Sequence, residues 1–544
     1  MLKNCTLAIA LVCVVISNYA QTTITLGKPY AVIDADRKYY FSKGNEILAV
    51  KVNKKTIHLQ KLNSENLTFE KIRLYDDFPK NFAIELITSF QDNYYIFYSY
   101  WDGENEQLFA RQIDFDAGTF NGPAQKIISV KEKITGTSRS SGFFKISTSD
   151  KFDFYFSNNN SLLAIQYRLK PEIRNDSKNY DIIGLHIFDS SLNEKWSNKI
   201  KMPYTEKKMN NLDYAVDSRG NAYIVTSVYD DDTTDEKKKG SAEPNYHLEI
   251  LKIPANTTDI IPIQVNLAGN FIKTVKLYEG AQGNMTCAGF YNTGTKPGNA
   301  DGIIMFKLGE DNVAYDFKTY EIPLEILNQY ASSKAINKNA SNESEDHAEF
   351  EHLSLRRIIA NEDGSIILLG EQIYQITHSY YNAFTHTFTT YTIYYYNDML
   401  ISKIDSNGAL AWMKKLPKRQ QSGKGGMLWS GGSGSPLGGM SFYYFPSENK
   451  HYLVFLDNEK NIDLPVTKVP AVHIDGQGGF LTAYVVDDKT GDFNKMSILD
   501  TRNVKGMEIY QFTPRRIEKT SPTSFVFEAY KKDKEDILIK VDLK

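Results

Sequence analysis

A short run recurs along the chain: aliphatic residues, then lysine, then a branched aliphatic, then a turn-former. It constrains the fold more than any other feature. LISKID (400–405), LIKVD (538–542), IMFKLG (304–309) and EILKIP (249–254) are close copies, and IHLQKLN (57–63), FARQID (109–114), GLHIFD (184–189) and AYVVDD (483–488) are looser ones. Anchored on the last dipeptide, the eight start at Lys61, Gln112, His186, Lys252, Lys307, Lys403, Val485 and Lys540, at gaps of 51 to 96 residues. A constant unit with variable loops marks a repeat architecture.

A second element precedes most copies: KGNEILAV (43–50), RGNAYIVTSV (219–228), QGNMTCAGF (282–290) and DGSIILLG (363–370). Gly beside Asn or Ser makes the turn, and a short unbroken apolar run suits a strand covered on both faces. A third turn and a more polar strand follow. DSSLNEKWSNKI (189–200) and DSNGALAWMKKL (405–416) agree there, each with Trp seven residues after Asp, so Trp196 and Trp412 are expected in equivalent packing slots. Four antiparallel strands per unit predict an all-β fold, a β-propeller of four-stranded antiparallel blades. Eight blades are expected, with seven the alternative. The sequence given stops at VDLK, after the third strand of the last unit, and TTITLGKPYAV (22–32) is expected to supply the missing outer strand. Pairing the two ends hides edges that an open sheet would expose.

Gly-Asn before an apolar strand, followed by K-I-D-x-x-G-x-x-x-W at Lys403 to Trp412, resembles exported bacterial β-propeller repeat proteins. The resemblance covers nearly the whole chain as fold-level periodicity and implies a rigid disc carrying variable loops. Asp405, Gly408 and Trp412 also resemble the Trp-docking repeat of quinoprotein propellers, but no other unit has all three, so the cofactor does not carry over. The sialidase Asp-box is missed, because Trp412 stands too far from Asp405.

The opening MLKNCTLAIALVCVVISNYAQTT has Lys3, then an apolar run from Leu7 to Ile16, then small residues. That order is expected of a signal peptide over 1–20, leaving 21–544 as one propeller domain. The protein is then expected to be exported: periplasmic, outer-membrane associated or extracellular. Cys287 would be its single thiol, so its stability would come from a core and not from disulfides. Losing Lys3 takes the formal charge from −3 to −4. That near-neutral balance does not suit nucleic acid. No later apolar run reaches the length of a membrane span.

Insertions are expected at about 324–352, 377–396 and 418–440. The segment 377–396, THSYYNAFTHTFTTYTIYYY, holds eight aromatic rings. It lies between the second and third strands of the sixth unit and alternates with period two around an expected turn at Asn382, so it is read as a two-stranded ribbon projecting from the blade. Its rings must stack on each other, on the propeller or on a partner. The candidate binding residues are Tyr380, Tyr381, Phe384, Phe388, Tyr391 and Tyr394, with Trp429 from the Gly-rich segment 423–440. His378 and His386 are expected to face each other, without an obvious third ligand, and no metal or cofactor is expected. SNESEDHAEFEH (341–352) and DDDTTDEKKKG (230–240) read as solvated charged loops, and DFDAG (114–118) as a strand-end turn.

The function expected from these residues is a non-catalytic scaffold, monomeric, that contacts an envelope or extracellular protein, or a glycan, through loops on one face. The alternative is a polysaccharide hydrolase or lyase with paired carboxylates, or an acid beside a Tyr or His, in the central channel.

Overall fold

The structure is a computed structural model that describes residues 22–543, apart from 55, 136–137, 142–143, 148–150, 172–177, 242, 281–282, 295–297, 346–347, 385, 424–437, 512 and 532–533. The expected signal segment and Trp429 therefore lie outside the described residues.

Among the described residues, eight sheets of four or more strands, built on antiparallel pairs, follow one another along the chain. Every copy of the lysine repeat falls in the third strand of its sheet: Thr56–Asn63, Glu106–Asp114, Tyr180–Asp189, Tyr246–Ile253, Gly302–Leu308, Thr387–Ile404, Phe480–Asp487 and Glu535–Asp542. Thr23–Leu26 pairs antiparallel with Glu535–Asp542 and supplies the outer strand of the last sheet, as expected.

The apolar runs are unbroken because each middle strand is covered on both sides. In Glu46–Asn53, Leu48, Val50 and Val52 pack against the second sheet, while Ile47 and Ala49 pack against Val526 and Leu538 of the last. Six further clusters of this kind join each sheet to the next, so the eight interfaces close a ring. Inner strands of neighbouring blades touch, as Met209–Val216 does Phe271–Glu279 and Arg37–Lys43 does Ile517–Ser521, so the first strands line the axis. The fold is a β-propeller of four-stranded antiparallel blades.

The recurring lysine bridges to the next blade at three of its five positions. Lys61 donates to the Phe115 carbonyl, Lys252 to Asn312 and Lys403 to Asp488, each in the next blade. Lys307 and Lys540 reach aspartates of their own blades instead. The Trp expectation holds in part. Trp196 and Trp412 both lie buried on outer strands and donate Nε1–H to a carbonyl of the next blade. The turns differ: Trp196 meets Gly220 after a first strand, and Trp412 meets Asp488 after a third strand. Gly491 permits the second docking, since a Cβ there would lie 2.6 Å from the indole. Trp196→Phe and Trp412→Phe keep most of the packing and lose the N–H bond, so each is expected to cost about 1–2 kcal/mol. They share no partner, so the double variant should show the sum in urea unfolding.

One loop reading is corrected. Within 324–352 lie two helices, Leu324–Asn328 and Ser333–Glu345, and Ala348, Glu349 and Phe350 after them are buried. Ala348 and Phe350 join the core between the fifth and sixth blades, and Glu349 accepts from the side-chain amides of Asn292 and Asn299 at 2.8 Å each. Two buried apolar side chains outweighed the polar composition around them.

Candidate functional site

The second and third strands of the sixth blade, Ile366–Asn382 and Thr387–Ile404, run far past their neighbours and stay paired to the tip. From Tyr374↔Tyr395 to Asn382↔Thr387 the ladder is uninterrupted. At about 3.3 Å per residue that makes an arm of roughly 26 Å. The last pair of the ladder is Asn382↔Thr387, so His378 stands opposite Tyr391 and not His386. The expected turn at Asn382 gave way because the apolar register, fixed at Ile366↔Ile404, sets the midpoint farther on. His386 sits in the turn at φ 54° and hydrogen-bonds the Tyr381 hydroxyl at 3.0 Å.

Directly paired residues share a face. One face carries Tyr374/Tyr395, Ile376/Ile393, His378/Tyr391 and Tyr380/Thr389. Its rings form a ladder: His352 stacks on Tyr374 at 5.0 Å, Tyr374 on Tyr395 at 4.6 Å, and His378 on Tyr391 at 5.0 Å. The other face is polar at mid-length, with Thr377/Thr392 and Ser379/Thr390, and aromatic at the tip, where Tyr381 meets Phe388 at 5.1 Å.

The candidate residues divide along the arm. Tyr380, Tyr381, Phe384 and Phe388 are 51, 52, 94 and 74% exposed. Tyr391 is half-buried beneath His378, and Tyr394 packs on the base cluster of Ile373, Tyr396 and Met440. Ile376, 42% exposed, belongs to the same surface, and without a ring it does not stand out in the aromatic pattern of the sequence. The 26 residues from Gln372 to Asn397 contain no Asp, Glu, Lys or Arg, in a chain that is 24% charged.

The base is fixed by buried charge. Lys418, fully enclosed, meets Glu371 at 2.8 Å and donates to the Tyr396 carbonyl at 2.7 Å. Glu371 also takes Ser441 at 2.7 Å and Arg356 at 3.2 Å. Burial pulls the Lys418 ammonium below its ordinary value, against the opposing charge of Glu371. Gln420–Gln421 adds beside Tyr395–Tyr396, and His473–Ile474 adds beyond it. The arm thus stands on a rigid seat.

The channel offers less chemistry. On the innermost strand Ile517–Ser521, burial pushes the Glu518 carboxyl up to about 8, against a hydrogen bond from Ser42 at 3.3 Å. A folded-state value above the ordinary 4.5 gives stability that is present at low pH and lost as pH rises through about 8. Glu518→Gln should therefore gain stability over the wild type between about pH 5 and 8 and match it near pH 4, as read by urea unfolding across pH. Glu85 is saturated by Ser99 and the Lys151 and Phe152 amides. Cys287 is fully buried, and burial holds its thiol well above the ordinary range, so it is no nucleophile. Among the described residues no group of three or more His, Cys, Asp or Glu is placed to hold a metal ion. No helix among them is long and apolar enough to cross a membrane.

No protein-family model matches the sequence, and no curated protein does. Among solved structures, a prolyl endopeptidase matches at 11% identity and TM-score 0.39, over 91% of this chain and 55% of that one. The WD40 domain of SCAP from fission yeast matches at 8% and 0.36, over 96% and 98%, and polysaccharide lyase Uly1 at 9% and 0.33, over 85% and 90%. This chain thus spans little more than half of the prolyl endopeptidase. Likeness at this level assigns no family and no activity.

Proposed function

We propose that the protein is a non-catalytic interaction scaffold, exported from the cell, whose contact element is the ribbon of the sixth blade. The observation that carries this reading is an uncharged arm of about 26 Å, with exposed rings, held on a seat of buried ion pairs. Tyr and Phe supply large contact area at low entropic cost, and a rigid disc holds them in place. The partner is an envelope or extracellular protein, or a glycan. A polysaccharide hydrolase or lyase is the second reading, and Glu518 in the channel is the group that favours it.

The test places a photo-crosslinking residue at Phe388 and, as control, at Val313, which is 54% exposed on a turn at the opposite end of its blade. A specific product at Phe388 alone supports the reading. Equal products at both positions, or none, would remove it.

A further inference from the structure

We propose that the ribbon pairs edge to edge with the ribbon of a second copy of this chain. The inference rests on the scaffold reading and names its partner. It replaces the monomer expected from sequence.

An unpaired strand edge invites another strand, and proteins guard such edges with charge, Pro, bulges or shortness. This chain guards its others. Each outer strand of the first seven blades holds at least one such residue, among them Lys71, Lys126, Lys199, Pro262, Lys318, Lys414 and Lys495. The eighth outer strand, Thr23–Leu26, is four residues long. The ribbon has none of these devices: no charge and no Pro from Gln372 to Asn397, and no register shift between Ile373 and Asn382. Its composition of Thr, Ile, Tyr and Phe is strongly β-forming. The sheet already grows sideways at its base, where the Ser422 amide donates to the Tyr394 carbonyl at 2.9 Å.

Three features favour a second copy over a foreign strand. A foreign partner is usually selected by complementary charge, and the ribbon has no charge to match. In a two-fold contact one strand lies antiparallel against itself, so like charges would meet and repel, whereas the Thr, Ile, Tyr and Phe of the ribbon make favourable Thr and aromatic pairs. A two-fold contact also covers the same edge in both copies and closes, whereas a head-to-tail contact would propagate. The arm further holds the like-charged bodies apart by more than the screening length of about 8–10 Å.

The test is sedimentation velocity of the mature protein from about 1 to 100 µM, a range that brackets a single strand-pair contact. The wild type is compared with Ser379→Lys/Thr390→Lys, which charges the exposed mid-ribbon, and with a variant in which 377–392 are replaced by Asn-Gly. The expected result is a wild-type dimer, weakened roughly tenfold or more by the two lysines and absent in the shortened variant, with thermal midpoints unchanged. A monomeric wild type, or a dimer that persists in both variants, overturns the proposal. If the wild type is monomeric while the Phe388 crosslinker captures a different protein, self-pairing fails and the scaffold reading stands. If both experiments are negative, both fail.

Discussion

Glu528→Gln is expected to lower stability by about 3–5 kcal/mol, the effect of breaking a buried ion pair by removing one partner. The carboxylate sits where the ring closes. It takes Lys51 at 2.6 Å, Lys38 at 3.0 Å, and the hydroxyls of Tyr30 and Tyr40 at 2.6 and 2.7 Å. Asp536 shares both lysines, at 3.0 Å from Lys38 and 3.4 Å from Lys51. The Glu528, Asp536 and Lys51 side chains are fully buried. Burial alone would raise the Glu528 carboxyl, but the two lysines outweigh it and hold it well below the usual range. Burial and the Glu528 charge push Asp536 the other way. The amide would leave two buried ammonium groups facing one reluctant aspartate. A depressed folded-state value gives stability that is present above the ordinary 4.5 and lost as pH falls through the folded value. The gap between variant and wild type should therefore be full at pH 7 and shrink in strong acid. Urea unfolding at the two pH values reads this directly, and a gap under about 1 kcal/mol at pH 7 would show that the seam charges do not hold the ring.

The second large effect is on contact, with stability left almost untouched. Replacing 377–392 by Asn-Gly joins Ile376 to Ile393, which already face each other, through a two-residue hairpin turn. The cut spares Tyr396, Ile373 and Met440, the buried base. What it removes is mostly exposed, so the expected change in stability is under about 1 kcal/mol. Ribbon-dependent contact should fall below detection. Extending the cut to residue 396 would remove Tyr396, 3% exposed, whose carbonyl receives Lys418, and should destabilise the fold.

The architecture was legible because the repeat has a cause at each position. Apolar runs mark strands enclosed between blades, and the lysine at their ends crosses to the next blade at Lys61, Lys252 and Lys403. All eight third strands and the closing strand at Thr23–Leu26 follow from that pattern. The ribbon was legible as an element, from its period of two, but its turn was not, because the blade's register overrides an Asn turn signal. The seam was missed. Its signal was a charge inside an apolar run, Lys51 in ILAVKV and Glu528 in FVFEAY, which alternation alone reads as a solvent face. The helices at 324–345 were hidden by a polar composition that suits a loop equally well.

The most direct test of the account is one experiment on two proteins: crosslinked capture from extract of the producing cells, with thermal unfolding of the same samples, for the wild type and the Asn-Gly ribbon variant. The account predicts that one specific product disappears while the unfolding midpoint stays within about 2 °C. Capture that survives without the ribbon would contradict it.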